Sequence, residues 1–179
     1  MPDYFTTPGA LQKDPLPDES QYTGGTRYQR FFRDGLIDRA GFRRAQVAAA
    51  AEIEEAVSVF SRSNWHEAFG AGGTIGAAAE LIRQVEWGDG TLITAGMLLN
   101  LRQLLIEYGE IRRLKLPGIK PERAQVLPGG IAVLGAVFET LGITELTPAR
   151  GGLRLGLLYD LVGRREQQNC ADTFHRTLF

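Results

Sequence analysis

Small residues stand directly before an apolar, helix-patterned run at three places in this 179-residue chain: Gly70–Thr74, Pro128–Gly130 and Gly151–Gly152. The chemistry such a junction can do is anion binding. The first N–H groups of a helix have no partner within the helix, and the helix dipole adds partial positive charge at the same end. Glycine lets a ligand approach the backbone without meeting a Cβ atom. The candidate phosphate- or nucleotide-binding residues are therefore Gly70, Gly72, Gly73, Thr74, Gly129, Gly130, Arg150 and Gly151. Arg150, and beside it Arg154, are the side chains placed to hold a phosphate at the third junction. A structural reading stands beside this one, because glycines at such turns also let two elements pack closely.

The residues exclude several other chemistries. The Gly70 loop has no Lys-Ser/Thr ending of the triphosphatase type, and Ile75 occupies the place of the third glycine of a dinucleotide fingerprint. His66 and His175 are isolated, and no paired His or Cys motif marks a transition-metal site. No serine lies in a Gly-x-Ser-x-Gly setting. Glu67, Glu80, Asp160 and Glu166 are single carboxylates that read as solvated. No residue of the chain is assigned a catalytic or metal-binding role from these patterns.

Bulk properties narrow the partners. A net charge of -1 gives no reason to expect nucleic acid or an anionic membrane. Six arginines (Arg27, Arg30, Arg33, Arg39, Arg43 and Arg44) cluster early, most of them read as a solvated face. Cys170 is the one cysteine, which fits a reducing compartment. No uninterrupted apolar run approaches the ~18 residues that span a bilayer. The longest, Ile131 to Val137, reads as core. With no apolar leader, the start reads as cytoplasmic.

The elements that must position these groups follow from periodicity and caps. Residues 1–19 read as an extended arm and residues 20–179 as one α/β lobe. Ser20 to Phe32 alternates partially, which predicts a strand bulged at Gly24–Gly25. Phe42, Ala45, Ala49, Ile53, Val57 and Phe60 predict a helix capped by Asp38. "HEAFGA" predicts a short buried strand, and Thr74 a cap for the next helix. Thr94 and Gly109 bound another helix. Pro121 opens a short helix, "LPGG" leads into a further apolar helix, "ITELTP" is a strand, and "LRLGLLYDLVG" a last helix. Alternating strands and helices argue α/β.

Four stretches in this order, "YQRFFRDGLID", "FGAGGTIGAAAELI", "LPGIKPERAQVLPGGIAVLGAVFETLGI" and "GGLRLGLLYDLVGR", resemble the exopolyphosphatase / guanosine pentaphosphate phosphohydrolase (Ppx/GppA) family. The resemblance runs from about Glu19 to the C-terminus. It implies the second, C-terminal lobe of an actin-like, ribonuclease H-like fold, a mixed sheet with several helices. It implies polyphosphate or guanosine pentaphosphate as ligand, and magnesium as cofactor, though no residue of this chain supports the metal. The first-lobe phosphate motifs and water-positioning glutamate of the family have no counterpart here. The family's Asp-Gly-Ala-Leu-Arg-Glu-Gly stretch is Arg150 to Gly156 here, with Arg and Leu in place of its two carboxylates.

Two functions follow as expectations. One is a part of a metal-assisted phosphoanhydride hydrolase, inactive by itself and supplying one wall of the phosphate cleft. The other is a non-catalytic phosphate- or nucleotide-binding, or dimerising, module of the same descent. Either is expected as a homodimer or in association with a first lobe, without nucleic acid or membrane.

Overall fold

A computed structural model describes residues 24–149. Helix α1, Gly24–Tyr28, is followed by two short 3-10 turns, Gln29–Phe31 and Arg33–Gly35. Helix α2 spans Arg39–Val57, and Asp38 caps it, its Oδ1 accepting from Gly41 N at 2.6 Å. Strand β1 is Phe69–Gly70 and helix α3 Gly73–Gln84. Strand β2, Ile93–Thr94, runs into helix α4, Ala95–Tyr108, where Thr94 Oγ1 accepts from Met97 N at 3.2 Å. Gly109 ends α4 at φ 74°, a backbone region open to glycine. Helix α5, Pro121–Leu141, and strand β3, Glu145–Pro148, complete the described chain.

The strands form a three-stranded mixed sheet in the order β1-β3-β2. β1 lies parallel to β3 with Phe69 opposite Thr147, and β2 antiparallel with Ile93 opposite Leu146. With five α-helices among the described residues, the architecture is the mixed α/β class expected. Helix α5 is the centre: α1, α2, α3 and α4 all pack on it. Phe42, Leu81, Ile82, Ile93, Leu101, Leu105 and Leu127 are fully buried around it. The buried face of α2 is the one the periodicity picks out, because burial of an apolar stripe stabilises the helix. Phe32 and Phe42 meet edge to face at 5.0 Å.

Four sequence expectations are corrected. Gly24 to Phe31 is helical, not a strand; Tyr28 and Phe32 are buried, and Gly25 comes so close to α5 that a Cβ would lie 2.8 Å from the Val126 carbonyl oxygen. Glycine at this position follows from helix contact, not from a bulge. The strand in "HEAFGA" shrinks to Phe69–Gly70, with Phe69 65% exposed. Gly72, not Thr74, caps α3. The short helix at Pro121 and the apolar helix after "LPGG" are one helix of 21 residues, running through Pro128. That helix is long and apolar enough to cross a membrane, yet 61% of its most apolar window is buried among the other helices. Such burial is the mark of a core helix. The arm at 1–19, Arg150, Gly151, Gly152, Arg154 and the helix "LRLGLLYDLVG" lie outside the described residues.

Candidate functional site

The site is the turn from β1 into α3. Gly70 is buried, and a side chain there would run into Leu146 of β3, with Cδ2 at 2.8 Å, and into Ile75. Its role is to let strand and helix close on each other. Gly72 is different. Its backbone sits at φ 122°, ψ 174°, a region nearly restricted to glycine, and the space over its Cα is open. Its carbonyl accepts from Gly76 N at 3.0 Å, which starts the helix. No side chain caps α3, so its first-turn N–H groups face outward from an exposed Gly72–Gly73 pair.

A cation lies against this start. The guanidinium of Arg123, from the first turn of α5, covers the Cα of Gly73, its Cζ 2.9 Å from where a Cβ would be. Arg123 is exposed, and its guanidinium has no ion pair or hydrogen bond among the described residues. A guanidinium next to the positive end of a helix dipole is repelled unless an anion joins them. The two together form a donor set for phosphate: backbone N–H groups on one side, a planar fork on the other. Sequence reasoning missed Arg123. It stands within the "KPERA" segment, but its meeting with Gly73 depends on how α5 crosses α3.

The helix-start reading of "LPGG" is corrected. Gly129 and Gly130 are buried in mid-helix, where N–H groups point along the helix. A Cβ on Gly129 would press on the backbone of α1 at Gly25 and Tyr28 and on Gln29 just after it, and one on Gly130 on Thr74 Oγ1. These glycines let α1 and α3 cross α5 closely. Gly130 thereby supports the turn from behind, since Thr74 packs on it. The structure thus brings together Gly70, Gly72, Gly73, Thr74 and Gly130, and sets Gly129 on the α1 side.

His66 and Glu67 are exposed, as their patterns implied. Glu80 is paired with Arg83 at 2.6 Å, and bonds from Arg83 and Gln84 hold its carboxyl below the usual range. Tyr28 is strongly perturbed among the described residues. Burial and a hydrogen bond to Glu52 push its hydroxyl up to about 12. Glu52 also pairs with Arg27 at 3.0 Å, so this network ties α1 to α2 away from the turn. Magnesium does not fit the described residues: no three His, Cys, Asp or Glu side chains converge among them. No step is derived through it.

The sequence profile of the Ppx/GppA phosphatase family matches residues 13–165. The chain is 36% identical over 141 residues to a guanosine-5'-triphosphate,3'-diphosphate pyrophosphatase of Aeromonas hydrophila. That match covers 79% of this chain and 28% of the relative, so the chain spans under a third of its length.

Proposed function

The chain belongs to the Ppx/GppA phosphatase family, whose fold is the actin-like ATPase fold, and on that premise we propose that it is the phosphate-gripping wall of a phosphoanhydride hydrolase cleft. The observation that carries this reading is the uncapped α3 N-terminus facing Arg123 across Gly73. A chain of phosphates laid over Gly72 meets backbone donors and a guanidinium fork without steric conflict. Fixing the ligand there orients its terminal phosphoanhydride bond for attack by water, which is the positioning part of such catalysis. Gly70 and Gly130 build the turn with the Thr74 side chain packed on Gly130, while Gly72, Gly73, the Thr74 backbone N–H and Arg123 are the groups offered to the ligand. Arg150 and Gly151 are kept as further contacts by resemblance.

Guanosine pentaphosphate is the favoured substrate, because the relative's name specifies a guanosine 5'-triphosphate 3'-diphosphate; polyphosphate is the second. No cluster that could hold magnesium lies among the described residues, and on this reading the chain by itself is expected to bind without turnover. A cytoplasmic setting and association through the lobe's open sheet edge complete the proposal. A non-catalytic binding module is the second reading, favoured by the absence of converging carboxylates among the described residues.

Equilibrium dialysis of the chain against guanosine pentaphosphate and against polyphosphate, with phosphate release followed in magnesium, tests this. Binding without release is the expected result. Release by the chain alone would overturn its inactivity, and absence of binding to either would overturn the cleft-wall role.

A further inference from the structure

A second basic feature lies away from the α3 turn. A cleft of about 340 Å³ is lined by Arg39, Arg43 and Gln46 of α2 and by Arg102 and Gln103 of α4. Arg102 Nη1 donates to Gln46 Oε1 at 3.4 Å and links the two walls. Some arginines of the surface are paired with carboxylates: Arg27 with Glu52, Arg83 with Glu80, and Arg112 and Arg113 with the shared Glu110. Among the described residues Arg39 and Arg43 have no such partner. Glu107 lies beside the lining, where it accepts from Gln103 Nε2 at 3.2 Å, and among the described residues no carboxylate forms an ion pair with Arg39, Arg43 or Arg102.

Arg39 and Arg43 stand one turn apart on one helix face, and Gln46 follows on the next turn. Three positive charges gathered in one concavity repel, and that repulsion is relieved by a multivalent anion. We propose that this cleft binds a phosphorylated ligand with at least two adjacent phosphate groups, at a site separate from the α3 turn. The guanidinium forks take the phosphate oxygens, and the Gln46 and Gln103 carboxamides supply neutral donors at the rim.

The separation follows from α5. Gly130 faces Thr74 behind the α3 turn, whereas Gly135 faces the Gln46 carboxamide, with Nε2 2.8 Å from where a Cβ would be. Five residues at about 100° each put these two glycines about 140° apart around the helix. The inference therefore does not rest on the function proposed for the turn.

The test is an amide-resolved NMR titration of the full chain with inorganic tripolyphosphate. Amides of Gln46, Val47, Arg102 and Gln103 are followed separately from those of Gly73 to Ile75. Saturable shifts in the α2–α4 set are expected, weakened about tenfold or more by Arg43→Gln and by Arg102→Gln, and unchanged by Arg123→Gln. All these side chains reach the surface, and preserved amide spectra verify folding of each variant. Silence of the α2–α4 set, or equal binding in both cleft variants, would overturn the site. Silence of Gly73 to Ile75 with a responding α2–α4 set would sink the turn proposal and leave this one standing.

Discussion

At the scale of single residues, glycines that look alike in sequence divide by what lies over their Cα atoms. Gly72 has open space and a glycine-only backbone; Gly129 has the α1 backbone pressed on it. Gly129→Ala is therefore expected to destabilise the fold by about 1–3 kcal/mol through overpacking, read by chemical denaturation. Gly72→Val meets no neighbour but strains the turn by roughly 1–3 kcal/mol, so it confounds ligand loss with local distortion. Arg123→Gln is the cleaner probe. An exposed side chain without a partner among the described residues should change stability by less than about 0.5 kcal/mol, and the same denaturation curve checks it. The sequence carried Gly70 to Thr74 as a candidate because helix-start glycines have a local signature. Arg123 has none, since its role arises from two helices about fifty residues apart.

Helices were legible where their own caps and stripes decide them. Asp38 and Thr94 both cap as their types and spacing predict. Asp38→Ala is expected to cost about 1 kcal/mol, and a fall in thermal midpoint measures it. The first segment was misread because Thr and aromatic residues favour a strand locally, whereas burial of Tyr28 and Phe32 against α2 and α5 favours a helix. Pro128 misled in the same manner: proline suits a helix start, yet here the 21-residue helix carries it inside. Burial of Tyr28, together with its hydrogen bond to Glu52, gives the α1–α2 junction a pH signature. The Tyr28 hydroxyl titrates near 10.0 when unfolded and near about 12 when folded, so its stabilising contribution is complete below pH 10. It is lost as pH rises from 10 to about 12, and Tyr28→Phe should flatten that part of a stability–pH curve.

At the scale of the molecule, the class of fold was legible and the distribution of burial was not. Strand–helix alternation reports an α/β lobe, but the dominance of α5 depends on contacts from four other helices. The three-stranded sheet ends in β1, where Phe69 is 65% exposed. An apolar edge of this kind promotes association. Sedimentation should show self-association that rises with concentration, and Phe69→Lys should reduce it; an unchanged profile would remove β1 from the interface. The central claim concerns the other side of that strand, where the chain turns into α3. Its most direct measurement is calorimetric titration of medium-length polyphosphate into the wild-type chain and into Arg123→Gln. Saturable binding that weakens about tenfold or more in the variant is the predicted result. Equal binding by both chains, or none by either, would contradict a phosphate site built from the α3 N-terminus and Arg123.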